Sequence, residues 1–145
     1  MRHLTCPACG AEVPIPFPLV AVDALVEDAQ GRVLLIRRLY PPPGWALPGG
    51  FVEPDETLET AVARELREET GLESMRVEQF RAYSGPGRDP RHPMVSMIFT
   101  VQARGELQAG DDAGEARYFS LDALPDEIAF DHRRILEDYA HARGM

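Results

Sequence analysis

A mixed β-sheet held between helices, an α/β (α+β) layered fold, is what this sequence predicts. Three features carry the prediction: β-branched apolar runs recur along the chain, only two segments have helical character, and those two stand far apart. Many short strands and two distant helices bury their apolar faces best in layers.

Residues 1–18 read as a separate small segment. Pro14, Pro16 and Pro18 alternate with apolar residues, which predicts an extended, polyproline-like linker. Cys6-Pro7-Ala8-Cys9-Gly10 holds both cysteines of the chain and looks like one knuckle of a zinc ribbon. A complete site would need two more ligands. Three readings stay open: a metal-free knuckle, a Zn²⁺ site completed by His3 or by a second subunit, and a redox pair. No βαβ pattern surrounds the motif to support the last.

The main domain is expected over residues 19–145. Leu19–Val26 and Val33–Ile36 are apolar, β-branched runs, and Glu27-Asp28-Ala29-Gln30-Gly31 between them supplies turn residues, so the pair predicts a hairpin. Arg37 and Arg38 follow. Pro41-Pro42-Pro43-Gly44 is a stiff loop, and Gly49-Gly50 allows close backbone approach. A helix is predicted from about Thr57 to Thr70, with Asp55 as its cap and Gly71 as its stop. Strands follow near Met75–Tyr83, Val95–Ala103 and Glu115–Phe119. A terminal helix from about Asp131 to Ala142 places Ile135, Leu136 and Tyr139 on one side.

The first helix carries the chemistry. At about 100° per residue, Glu65 and Glu69 fall in line with Leu58 and Val62, and Glu68 stands to one side. The stripe that should face the core therefore turns acidic near the helix C-terminus, where the macrodipole is already negative. Like charges four residues apart repel, and inward carboxylates are costly unless something positive meets them. A divalent cation answers that need compactly, and oxygen ligands suit Mg²⁺ or Mn²⁺.

The whole spacing runs from Gly50 through Glu56 and Arg64-Glu65-Leu66 to Glu68-Glu69 and Gly71-Leu72. It resembles the signature box of the Nudix hydrolases, with no specified position missing. The resemblance implies an αβα sandwich with a mixed central sheet, here preceded by the short CxxC knuckle segment. It implies catalysis and metal binding by Glu65, Glu68 and Glu69, with the Gly50 carbonyl as a further ligand. Arg64 and Glu56 would brace the helix and loop. A general base is expected from a distant loop: Glu115 is the first choice, with Asp111 and Asp112 as alternatives.

Ser84-Gly85-Pro86-Gly87-Arg88-Asp89-Pro90-Arg91-His92 resembles a loop of the family's ADP-ribose pyrophosphatases, and Ala129-Phe130-Asp131-His132 resembles a second segment of the same group. Arg88 and Arg91 are thereby candidates to bind substrate oxygens through charge-assisted bonds. A turn held by an Arg–Asp pair is the plainer alternative. Members of the group carry Gly-His after the second Arg, whereas this chain has His92-Pro93, which puts a role for that imidazole in doubt. Trp45, Tyr40 and Phe17 are possible adenine-stacking groups, with core or hairpin packing as the alternative for each.

The implied activity is metal-dependent cleavage of a nucleoside diphosphate derivative, foremost ADP-ribose to AMP and ribose 5-phosphate. A nucleoside triphosphate pyrophosphatase and a non-catalytic ADP-ribose sensor are the alternatives, and a homodimer is plausible by resemblance. Composition agrees with a single globular domain: 145 residues, 44% apolar and 27% charged. The net charge of −9 disfavours nucleic acid as a partner, yet a bound cation can reverse the sign locally for a small phosphorylated substrate. No apolar run reaches membrane-spanning length, and nothing resembles a signal peptide. No membrane partner and a cytoplasmic location are therefore expected.

Overall fold

The computed structural model describes residues 3–110 and 113–145. Strand β3 (Leu19–Val26) is central. It pairs parallel with β8 (Met94–Arg104) and antiparallel with β6 (Gly49–Phe51), and β7 (Glu73–Tyr83) extends the far edge of β8. A second sheet of three strands places β4 (Val33–Arg38) between β5 (Trp45–Ala46) and β9 (Ala113–Phe119). Helices α1 (Leu58–Thr70) and α2 (His132–Ala142) cover opposite sides. The mixed sheet between two helices is thus the observed architecture.

Alternation along the strands divides the core. Val22, Ala24 and Val26 of β3, with Leu34 and Phe99, pack on the α1 side against Ala61, Val62 and Leu66. Leu25, Val33, Leu35 and Ile98 face the α2 side, against Ile135 and Leu136. Tyr139 joins that cluster, so the predicted stripe of α2 holds. Each fully buried leucine of this kind contributes about 2 kcal/mol from area removed from water.

The predicted hairpin needs correction. The turn is real, because Asp28 Oδ1 accepts from the backbone N–H of Gln30 and Arg32 and Gly31 has φ 77°. Beyond it, however, β3 and β4 meet only at a Glu27–Val33 bridge and then diverge into different sheets. A strand buried on both faces and already bonded at both edges has no edge left for its sequence neighbour.

The predicted N-cap also moves. Thr57, not Asp55, caps α1, with its hydroxyl accepting from Thr60 N at 3.1 Å. Gly71 stops the helix in the left-handed region at φ 75° and donates to Arg67 O. The next carbonyls are met from the loop after β8, where Gln108 N donates to Thr70 O and Gly110 N to Glu69 O. Gly110 has to be glycine, because a Cβ there would lie 1.9 Å from Glu68 O.

The N-terminal segment is only partly linker-like. β1 (His3–Thr5) and β2 (Glu12–Pro14) form an antiparallel ribbon, and Cys6–Ala11 make the turn. Ile15 is buried, Phe17 O is bonded to His92 Nε2, and Leu19 N donates to Pro93 O. Those contacts tie the ribbon to the loop that precedes β8.

Candidate active site

A cleft of about 420 Å³ opens between β6, the end of α1 and the loops preceding β8 and α2. Its acidic wall is built by α1. Glu65 and Glu69 line it, one turn apart, and the glycine pair of β6 lies directly against them. A Cβ on Gly50 would meet the Glu65 carboxyl at 2.5 Å, and one on Gly49 would meet Val22 O at 2.2 Å. The Gly49 N–H donates to Glu69 Oε1 at 3.2 Å. The other oxygen, Glu69 Oε2, is buried with no hydrogen-bond partner.

Arg64 organises the outer side of this wall. Its guanidinium binds both Glu56 oxygens at 2.6 and 2.8 Å and donates to Phe51 O and Glu65 Oε1. Glu56 is completed by the Glu53 N–H, and the Arg64 hydrogen bonds hold its carboxyl down to about 2. The bracing role expected for Arg64 and Glu56 matches this geometry. Glu68 lies about 100° around the helix, is largely exposed and pairs with Arg64 at 3.2 Å, outside the cleft.

Burial, the adjoining Glu65 carboxyl and its charge push Glu69 up to about 9. Without a cation, such a carboxyl holds a proton instead of a charge. Asp23, in the middle of β3, adds a third acid to the cleft and is pushed up to about 7, chiefly by burial. Among the described residues, no group of three or more His, Cys, Asp or Glu side chains already stands arranged to hold a metal ion. The orphaned Glu69 oxygen, the neighbouring Glu65 carboxyl and the absence of a Cβ at Gly50 nevertheless fit a hard divalent cation, which supplies the charge that this wall lacks.

Behind Asp23 lies His132, the first residue of α2. Its Nδ1 accepts from Leu47 N at 3.0 Å, which leaves the ring proton on Nε2, facing Asp23 Oδ1 at 3.9 Å. Burial takes its pKa down to about 3, so the imidazole is neutral.

The opposite wall is cationic. Arg88 donates to both Asp131 oxygens at 2.9 and 2.7 Å and to Ser96 Oγ at 2.8 Å, and its side chain is only 7% exposed. Arg91 is held by Asp89 but keeps 40% of its side chain exposed and reaches the Phe51 and Phe130 rings. Arg38 shares the Phe130 ring with Arg91, its guanidinium 4.8 Å from the centroid. Among the described residues Arg38 has no carboxylate partner; its bonds go to Pro41 O and Pro42 O. Phe130 has φ 57°, a backbone state that costs an aromatic residue on the order of 1–3 kcal/mol.

Several predicted residues fall elsewhere. Glu115 does not reach the cleft; it is exposed on β9 and paired with Arg117 at 2.6 Å. Strand alternation explains this, because Ala116 and Tyr118 take the inward positions. The alternatives Asp111 and Asp112 lie outside the described residues. Trp45 is core, packed edge-on against Phe119, and Phe17 is exposed away from the cleft, whereas Tyr40 lines it. His92 is buried and bonded to Phe17 O, a tether rather than a cleft residue. Asp23, Arg38 and Phe51 line the cleft without any role expected from the sequence, and Phe130 enters that expectation only as part of the segment from Ala129 to His132. Asp23 alone had a visible signal, an acid inside an apolar strand.

A model of the NUDIX domain matches residues 18–139. The chain belongs to the Nudix family. It is similar to an ADP-ribose pyrophosphatase of Methanocaldococcus jannaschii, at 48% identity over 84% of this chain and 73% of the relative. It is 35% identical to the ADPR responsive transcriptional repressor NtrR of Acinetobacter baylyi, over 84% of this chain and 53% of that protein. It is 32% identical to the NAD-capped RNA hydrolase NudC of Pseudomonas aeruginosa, over 86% and 44%. The chain thus spans about half the length of these last two. Among solved structures, the Nudix domain of Shewanella oneidensis NrtR with ADP ribose superposes with TM-score 0.76 at 29% identity, over 90% of this chain and 91% of that one. A bifunctional NMN adenylyltransferase/ADP ribose pyrophosphatase from Francisella tularensis, with AMP and a Mn ion, gives 0.72 at 29%, over 88% and 43%. As a Nudix hydrolase, the protein is a pyrophosphohydrolase.

Proposed function

We propose that this Nudix protein hydrolyses ADP-ribose to AMP and ribose 5-phosphate, using Mg²⁺ or Mn²⁺. The observation that carries the reading is one cleft with two opposed walls: Glu65, Glu69 and Asp23 on one, Arg38 and Arg91 on the other. A diphosphate has to be gripped by cations on both flanks, and only one flank has them in side chains. Divalent metal at Glu65 and Glu69, with the Gly50 carbonyl and Glu68 as further donors, would neutralise the phosphates and acidify the attacking water. Water adds to one phosphorus, the bridging P–O bond breaks, and the bridging oxygen leaves with the other phosphate.

The protein's own groups position and hold protons. Arg38 and Arg91 bind the diphosphate or ribose oxygens, and the exposed ring of Tyr40 offers a base its stacking surface. Arg88, fully paired, holds the loop from Ser84 to His92 in place. A carboxylate from a loop outside α1 would serve as the general base, with Asp111 and Asp112 the alternatives to Glu115. Residues 1–18 are an appendage to this domain, 19–145, which works in the cytoplasm as a homodimer on a small nucleotide rather than on nucleic acid. No helix among the described residues is long and apolar enough to cross a membrane.

Product analysis tests the reading. The protein with Mg²⁺ or Mn²⁺ is offered ADP-ribose, NADH, nucleoside triphosphates, dinucleoside polyphosphates and NAD-capped RNA. AMP and ribose 5-phosphate, formed fastest from ADP-ribose, are expected. Preferential cleavage of a triphosphate or a capped RNA overturns the substrate. Tight binding of ADP-ribose without any cleavage would favour a sensor, the reading that the similarity to NtrR supports.

A further inference from the structure

We propose that Cys6 and Cys9 form half of a tetrahedral zinc site that a second copy of this chain completes, joining two N-terminal ribbons. The turn is shaped for metal. Cys6 N donates to Ala11 O and Gly10 N to Cys6 O, both at 2.8 Å, with Gly10 at φ 73°. The backbone N–H groups of Ala8 and Cys9 and the neighbouring Cys9 thiol hold the Cys6 thiol below its ordinary pKa. A tight turn closed by these bonds, with a cysteine at each end of Cys6-Pro7-Ala8-Cys9, is the arrangement in which a CxxC pair presents thiolates to zinc.

Structural zinc takes four protein ligands, and this chain holds two cysteines. Its histidines do not make up the difference. His92 and His132 are buried and bonded to Phe17 O and Leu47 N. His141 is in the last turn of α2. His3 is opposite Pro14 at the open end of the ribbon, whereas the cysteines lie beyond Thr5 and Glu12 at the closed end. Cys6 is three residue steps along the chain from His3, about 10 Å at 3.3 Å per residue. The remaining two ligands therefore come from another knuckle, and a second copy supplies an identical pair through two-fold symmetry.

The ribbon itself asks for the same partner. Leu4 and Val13 face each other across the ladder and are 59% and 46% exposed. All six strand residues are exposed, and a two-stranded ribbon without a covered face is marginal in water. A second ribbon crosslinked through four thiolates covers that apolar pair.

Cobalt decides the matter in the full chain, reduced and stripped of metal, because sulfur-to-cobalt charge-transfer absorption reports thiolate-bound ions and ignores any at the glutamates. One such ion per two chains is expected, with the tetrahedral visible spectrum. The molar mass from light scattering should double on metal addition and return on chelation. C6S and C9S should each abolish the spectrum and the metal-driven dimer, while ADP-ribose turnover per chain is measured to verify that the domain is folded. One thiolate-bound ion per monomer would sink the idea. So would no thiolate-bound metal at all, a Cys6–Cys9 disulfide in its place, or a dimer indifferent to chelation.

Discussion

The two walls of the cleft differ in how their charges are matched. On the loop from Ser84 to His92, each arginine has its own acid: Arg88 with Asp131, Arg91 with Asp89. On the α1 wall, Glu69 has a buried oxygen with no partner, and Asp23 and Glu65 add to the negative charge around it. Matched charges hold a structure together, and unmatched buried ones wait for a ligand. On our proposal the acid wall is then the chemistry and Arg88 the scaffold, with Arg91 and Arg38 between the two.

The sharpest way to break the comparison is Glu69→Gln. Metal-dependent turnover should fall on the order of 100-fold or more, as when other preorganised charge-stabilising groups are removed. Unfolding measured in chelator should show no loss of stability, since without a cation the Glu69 carboxyl is already neutral and an amide of the same shape replaces it. Turnover within a few-fold of the parent would remove Glu69 from the site.

Asp131→Asn tests the other wall. It leaves the buried Arg88 guanidinium with neutral side-chain partners alone, Ser96 and the new amide oxygen, and the cost is expected at about 3 kcal/mol in denaturant unfolding. An unchanged midpoint would mean that Arg88 was not held by the pair. Arg91→Gln, by contrast, should leave stability nearly untouched and raise KM for ADP-ribose about 10-fold, the worth of one hydrogen bond to a charged group. A fall in kcat with KM constant would place Arg91 at the transition state instead.

The pH dependence of stability probes the neutral imidazole behind Asp23. His132 has its folded pKa depressed to about 3 from an ordinary 6.5. Between those values the unfolded chain binds the extra proton, so stability falls as pH drops below 6.5. Asp23, raised to about 7, titrates in the opposite sense and is common to both proteins in the comparison. In His132→Asn the acid-side loss disappears. The stability gap between the metal-free parent and variant should therefore narrow as pH falls from 7 to 4. A gap independent of pH would show that His132 titrates normally.

Glu115→Gln should have the smallest effect, less than about twofold on kcat, because its partner is Arg117 and its strand position faces away from the cleft. A collapse of kcat would return the general base to Glu115.

Legibility follows range along the chain. The spacing of Glu65, Glu68 and Glu69, the Gly71 stop and the Glu56–Arg64 brace all act within one or two turns of α1, and each stands where local periodicity predicts. The N-cap differs by two residues, because Asp55 and Thr57 are both good caps and it is Thr57 whose extended backbone brings its hydroxyl to Thr60 N. The hairpin failed because strand pairing is decided at the edges: β3 pairs with β6 and β8, and β8 begins about seventy residues downstream of β3.

The sequence by itself determined the family box, the acidic stripe and the two-helix layered class, since these depend on a 3.6-residue period and on turn chemistry. Only the tertiary structure decided which charges are spoken for. Arg88 reads from sequence as a substrate ligand, but its acid is 43 residues away and its guanidinium is locked. Arg38, which reads as the end of a strand, meets Phe130 in the cleft from about ninety residues away. Burial and pairing are properties of the assembled layers, and no local pattern encodes them.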